Sequence, residues 1–422
     1  MIINTNTRSL DILKGISVDS SNLHYDVVII GSGIVGATAA LALAKKTTLR
    51  IAVCEAKSPN FVEPSHSYCS RVSAIALSSQ RIFENMGVWQ SIAAKRITPY
   101  QKMQVWDALG KGKISFTAQA LQENVLGFII EDDVIRMCLL DRFKQYHNLN
   151  FLHPVTLLSL EKIKNGIKLT TNQQVITTKL LIAADGAESC VRQQLGVGLT
   201  TRDYQHTAII TTVQTDLPHQ ATAWQSFLPT GPLAFLPLEN QNQCSIVWSA
   251  TPDYAKKLLA LNDDEFSKVL TEAFEYRLGQ ITVLSPRQFF PLKMRHAKQY
   301  TGDNYALIGD AAHTIHPLAG QGVNLGLLDA ATLAEVISDA WKKKRDFASH
   351  FTLRRYERWR KGDTLTMLTM VDALKYIFSS EKKSLFYLRN TGFNILDRLS
   401  FLKSFIANYA LGKRADLPEI AS

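Results

Sequence analysis

Tyr25-Asp26-Val27-Val28-Ile29-Ile30-Gly31-Ser32-Gly33-Ile34-Val35-Gly36 is the stretch on which the fold turns. Its first half is the near-continuous β-branched run of a strand buried on both faces in a parallel sheet. The glycines follow at once, and Ala37 to Lys46, rich in Ala and Leu, continues as a helix. Strand, glycine turn and helix together are the setting in which Gly-x-Gly-x-x-Gly binds a dinucleotide. Gly31 permits the tight turn, Gly33 lets the backbone approach a pyrophosphate, and Gly36 lets the helix pack against the strand. The helix N-terminus then faces the phosphates with its unpaired amides and positive dipole end, and Ile34 and Val35 within the motif are counted with the glycines as cofactor-binding residues. A second strand, Arg50 to Cys54, ends at Glu55, where a carboxylate can accept from the adenosine ribose and disfavours a 2'-phosphate. The fingerprint alone therefore reads as FAD or NAD rather than NADP.

Two further glycine turns lie far downstream. Leu180 to Ala184 is another buried strand, followed by Asp185-Gly186 with Ser189 and Arg192. Tyr305 to Ile308 is a third, running into Gly309-Asp310-Ala311-Ala312-His313 and then Pro317-Leu318-Ala319-Gly320-Gln321-Gly322-Val323-Asn324. Asp310, at a strand end, can accept from a ribityl hydroxyl. Gly320, Gly322, Val323 and Asn324 precede a helix expected to start near Leu325, and backbone amides there can face the pyrimidine edge of a reduced, anionic flavin ring.

These residues resemble the class A flavoprotein monooxygenases, whose type is the para-hydroxybenzoate hydroxylase fold, and within that class the hydroxylases of ubiquinone biosynthesis. The likeness runs roughly from 24 to 415. Ser70-Arg71-Val72-Ser73-Ala74-Ile75, Met86-Gly87-Val88-Trp89, Gly231 to Leu238 and the ending Tyr409-Ala410-Leu411-Gly412 are similar to one branch, which acts on 2-octaprenyl-3-methyl-6-methoxy-1,4-benzoquinol. The resemblance implies an FAD-dependent aromatic-ring hydroxylase using NAD(P)H and O2 through a C4a-hydroperoxyflavin on a polyprenylated phenol or benzoquinol. It assigns Gly31, Gly33, Gly36, Glu55, Arg71, Arg136, Asp185 and Asp310 to the flavin nucleotide, with Gly186 and Arg192 completing the motif associated with FAD and the reduced nicotinamide. Pro317 matches the position whose carbonyl faces the peroxide, and His316 stands before it where Asn is the family's usual residue. A His there titrates near neutral pH if it faces the ring.

Alternating stretches within 101–128 and 201–284 read as antiparallel strands of a substrate domain inserted into the nucleotide-binding domain. The implied architecture is α/β. A Rossmann-type FAD domain (25–100, 129–200 and 285–340) is interleaved with the mixed β-sheet substrate domain. An N-terminal extension (1–24) and a C-terminal helical region (341–422) complete it. Trp224, Phe227, Phe235 and Pro237 are the expected substrate pocket, although an aromatic-rich strand pair is more often core than pocket.

The 422 residues carry 47 Lys and Arg against 37 Asp and Glu, a formal charge of +10 that permits attraction to nucleic acid or anionic lipid without requiring either. No nucleic-acid partner is expected. Five scattered cysteines argue against a disulfide framework or zinc site, and no apolar run reaches the ~18 residues of a spanning helix. The expected location is cytoplasmic, with peripheral contact at the inner face of the cytoplasmic membrane. That contact, or docking of other ubiquinone-biosynthesis proteins, falls to the basic, aromatic stretch 371–415, which includes Lys382, Lys383, Phe386, Tyr387, Arg398 and Phe401. A helix covering the protein's own core explains the same pattern. Rival readings are a flavin-dependent dehydrogenase or reductase and a non-catalytic flavin-fold scaffold.

Overall fold

The computed structural model describes residues 19–61, 68, 71–110, 112–315, 321–379, 411–412 and 416–422. The strand predicted from Tyr25 begins at Asp19 and runs to Ile30, taking in part of the expected extension. It lies centrally among parallel strands hydrogen-bonded in the order Tyr305–Leu307, Gln174–Ala183, Asp19–Ile30, Ile51–Cys54 and Leu149–Leu152. Val27, Val28 and Ile29 have no exposed surface, as their unbroken apolar run requires. The helix Ile34–Lys46 packs against Asp132–Phe143 and the long helix Gln321–Lys342. Register matters most at the carboxyl edge, because Ile30 pairs with both Ala183 and Cys54, and Ala183 pairs with Leu307. The three glycine turns and Glu55 therefore leave the sheet side by side.

The second sheet runs in the order His313–Thr314, Gln288–Ala297, Leu199–Thr215, Gln243–Ala250, Gly231–Pro237, Thr222–Leu228, Lys102–Asp107 and Lys113–Thr117. The strand Gln288–Ala297 pairs along Leu199–Ile210 in this sheet, although its residues were expected in the nucleotide-binding segment 285–340. Alternation marks it as a strand, but only pairing says to which sheet it belongs. A third, small sheet joins Val72–Ile75, Gly127–Glu131 and Ile97–Tyr100.

Cross-strand partners share a face, and this corrects the expected substrate pocket. Trp224 pairs with Phe235, Phe235 with Ile246, and Pro237 with Cys244, so Trp224, Phe235 and Pro237 point together toward the helices Pro252–Ala260 and Asp263–Ala273. There Phe235 is fully buried and stacks on Phe274 with ring centroids 3.8 Å apart, while Trp224 meets Phe274 and Trp106 edge-on. These three residues are core of the second sheet. Phe227 lies an odd number of positions from Trp224 and faces the opposite way, where it packs with Ile315, Leu325 and Met367 at the junction of the two sheets. Cys54, Cys138 and Cys244 are buried and Cys190 is exposed, with no disulfide among the described residues, while Cys69 lies outside them.

Phe235→Ala should lower the unfolding free energy by about 3–5 kcal/mol in urea titrations while the folded fraction keeps its flavin affinity. Unchanged stability with weakened substrate binding would return Phe235 to the pocket.

Candidate active site

Ligands of open α/β sheets bind beyond the carboxyl ends of the strands, and the aligned turns stand there. Gly31 is left-handed at φ +104°, and a Cβ on it would lie 2.4 Å from the Ala184 carbonyl oxygen. A Cβ on Gly36 would lie 2.1 Å from the Gly31 carbonyl oxygen, whereas one on Gly33 would meet nothing within 4 Å. Two glycines are thus demanded by packing and the third leaves open space at the helix start. The helix Ile34–Lys46 has no side-chain cap and no acid in its first turn, so its leading amides are left for a ligand. The Val35 methyls fill the space at Gly309 and Gly326, 3.2 and 2.6 Å from where Cβ atoms would stand, joining the first motif to the third.

Glu55 closes on the same loop. Its Oε2 accepts from the Ser32 amide at 2.9 Å, the Ser32 hydroxyl at 2.6 Å and Arg136 Nη2 at 3.2 Å. Arg136 also donates through Nε to the Ser32 carbonyl at 3.0 Å. Burial would raise the Glu55 carboxyl, but the Ser32 hydrogen bonds and the Arg136 charge outweigh it and hold the pKa below the usual value. Oε1 carries only a 3.4 Å bond from the Lys57 amide, leaving it capacity for a ribose hydroxyl. Ser32, quoted in the motif, had been given no role of its own.

Asp185 Oδ2 caps the short helix Cys190–Gln194 by accepting from the Val191 amide at 3.1 Å, and its Oδ1 is buried with no partner. Gly186, at φ +84°, faces open space. Arg192 is buried and donates through Nη1 to the Ala311 carbonyl at 2.9 Å, so the second motif grips the third. Asp310 retains accessible surface in the cleft yet is hemmed in by protein, and burial pushes its carboxyl up against the opposing pull of His313, Arg71 and Arg295. Arg71 Nε is held 2.7 Å from Asp132.

The Asn324 side chain is committed to the protein, so only its backbone is left for a ligand. Oδ1 accepts from the Ala76 amide at 2.9 Å and the Ser79 hydroxyl at 2.8 Å, and Nδ2 donates to the Ala74 carbonyl at 2.8 Å. Gly322 borders open space and Val323 packs on the main core. His316, Pro317 and Gly320 lie outside the described residues. The open space at Gly33 and Gly186, the uncapped helix, the orphaned Asp185 oxygen and the half-used Glu55 carboxylate fit the pyrophosphate and hydroxyls of FAD.

The FAD binding domain family matches residues 24–362. The chain is 34% identical to ubiquinone hydroxylase UbiL of Rhodospirillum rubrum, over 93% of this chain and 91% of that protein. It is likewise 34% identical to the 3-demethoxyubiquinol 3-hydroxylase of Escherichia coli, over 93% and 100%. The chain belongs to the FAD-dependent monooxygenases of ubiquinone biosynthesis. Its α/β, para-hydroxybenzoate-hydroxylase-like fold is shared with p-nitrophenol 4-monooxygenase PnpA of Pseudomonas putida, at a TM-score of 0.75 and 20% identity over 92% of this chain and 98% of that one.

In this monooxygenase Gly36→Ala should cost about 1–3 kcal/mol of apoprotein stability by overpacking, while Gly33→Ala should leave the urea midpoint in place and weaken FAD roughly tenfold in fluorescence titration. Equal effects of the two would remove the distinction drawn from their surroundings. Because the folded Glu55 pKa is depressed, its contribution is complete above the ordinary value of ~4.3 and fades as pH falls through the lower folded value. The stability gap between wild type and Glu55→Gln apoprotein should therefore be present at neutral pH and close in acid.

Proposed function

We propose that this monooxygenase adds one oxygen atom to the ring of a polyprenylated benzoquinol, 2-octaprenyl-3-methyl-6-methoxy-1,4-benzoquinol or a homologue of different tail length, with NAD(P)H and O2 as co-substrates. The observation that carries this reading is that the chain spans the full length of the Escherichia coli 3-demethoxyubiquinol 3-hydroxylase at 34% identity. The aligned turns beyond the Rossmann-type sheet give the cofactor its place.

Bound FAD supplies the redox and oxygen-transfer chemistry. The chain's own task is to bind, orient and keep water out. The amides at the start of Ile34–Lys46 hold the pyrophosphate, Glu55 accepts from the adenosine ribose, and Asp310 accepts from the ribityl chain. Backbone amides around Gly322, Val323 and Asn324 would hold the flavin ring, and the family resemblance assigns Pro317 and His316, outside the described residues, to the same end of the cofactor. The substrate ring lies on the side of the second sheet that carries Phe227, which meets the end of the third motif through Ile315 and Leu325, whereas the opposite face packs on Pro252–Ala260 and Asp263–Ala273.

A polyprenyl tail partitions into lipid, and the basic, aromatic stretch 371–415 suits a peripheral meeting with that surface. Most of that stretch lies outside the described residues, and among those described no helix is long and apolar enough to cross a membrane.

Purified holoenzyme supplied with NADH or NADPH, 18O2 and a short-chain demethoxyubiquinol should yield a product with one labelled ring oxygen by mass spectrometry. Deleting the gene should leave its host accumulating the precursor that lacks this oxygen. Consumption of NAD(P)H and O2 that yields only hydrogen peroxide, with no precursor accumulating, would overturn the assignment and favour a reductase.

A further inference from the structure

Behind the third motif sits a charged pair with almost no exposed surface, Asp329 on the helix Gln321–Lys342 and Arg360 on the helix His350–Ser379. Arg360 Nε donates to Asp329 Oδ1 at 2.9 Å, and Arg360 Nη1 to Asp363 at 2.6 Å. Taking two charges out of water is costly unless further hydrogen bonds satisfy them. On Asp329 those bonds go to one place. Oδ2 accepts from the Gly309 amide at 3.1 Å and lies 2.5 Å from His313 Nε2. Burial would raise the Asp329 carboxyl, but His313 and Arg360 outweigh it and hold its pKa below the ordinary carboxylate value.

The two bonds on Oδ2 bracket the segment that presents Asp310. Gly309, left-handed at φ +57°, precedes Asp310, and His313 follows it. Arg192 holds the middle through the Ala311 carbonyl. The helix carrying Arg360 grips the incoming strand too, since the Tyr356 hydroxyl donates to the Leu307 carbonyl at 2.8 Å. Glu357 accepts from the Thr301 amide and hydroxyl, farther from the turn.

We infer that Asp329 and Arg360 are positioning residues for the flavin, their ionic contact fixing the Gly309–His313 turn and so making the helix His350–Ser379 part of the cofactor site. The inference rests on the reading of Asp310 as a flavin contact. Neither residue touches the cofactor, and both act through the turn. The charge matters as well as the shape, because loss of the Asp329 carboxylate would leave Arg360 with Asp363 alone and the ground behind the turn one unit more positive, which favours the anionic reduced flavin.

Four full-length variants test this by FAD titration of the apoprotein, the midpoint potential of the bound flavin and thermal unfolding. Asp329→Asn should weaken FAD about tenfold and move the potential upward. Arg360→Lys, which keeps the charge and loses the planar fork, should weaken FAD by about threefold with a smaller change in potential. Glu357→Gln, which loosens the same helix away from the turn, should lower the melting temperature and leave affinity and potential as they were. Asp310→Asn checks the Asp310 reading separately: wild-type FAD affinity there removes that reading, whatever the other variants do. Asp329→Asn with unchanged affinity and potential overturns the inference, as does Glu357→Gln shifting the potential equally. Should Asp329→Asn fail to fold, Arg360→Lys decides, and unchanged FAD affinity in it also overturns the inference.

Discussion

The backbone of Gly31 lies so close to the Ala184 carbonyl that no side chain fits between them, and the geometry of the site follows from that contact. It brings the end of the first strand against the Asp185-Gly186 turn. Gly36 then seats the first helix on Gly31, and Val35 fills the room left at Gly309 and Gly326. Four strand ends in one register row carry these turns, so strand pairing brings together segments that are distant in the chain. A dinucleotide needs such closeness, because its phosphates are met by amides and its sugars by carboxylates only a few ångströms away.

Three carboxylates share that edge in unlike surroundings. Glu55 is held ionised by Ser32 and Arg136, Asp310 is pushed the other way by burial, and Asp185 is divided between a helix cap and an unpartnered oxygen. The differences come from neighbours supplied by other elements: Arg136 from Asp132–Phe143, and His313 and Arg295 from the second sheet. Arginines also do mechanical work here. Arg192 ties the second turn to the third, and Arg360 holds the carboxylate on which the third turn hangs.

Much of the nucleotide side was legible because the motifs encode local backbone needs. Gly31 and Gly36 were assigned by what a turn and a close approach require, and those requirements appear in the contacts around them. Arg136 rested on a loosely spaced helix in the sequence, yet it reaches both Ser32 and Glu55. The pocket side was less legible. Choosing Trp224, Phe235 and Pro237 treated aromatic content as a sign of a ligand face, but a period of two says only that residues share a face and not which face is covered. Nor did any local pattern mark Asp329 or Arg360, whose partnership joins two helices.

The order of strands, glycine turns and helices, the carboxylate after the second strand and the membership of a flavoprotein family were determined by the sequence itself. Each depends on backbone conformations that particular residues permit or forbid over a few positions. Only the tertiary structure decided that Gln288–Ala297 joins the second sheet, that Trp224 and Phe235 share one of its faces while Phe227 packs on the other against Leu325 and Met367, and that a buried ion pair backs the Asp310 turn. Those are matters of which surfaces meet after the chain has folded back on itself, and burial and pairing energies between distant segments leave no periodic trace along the chain.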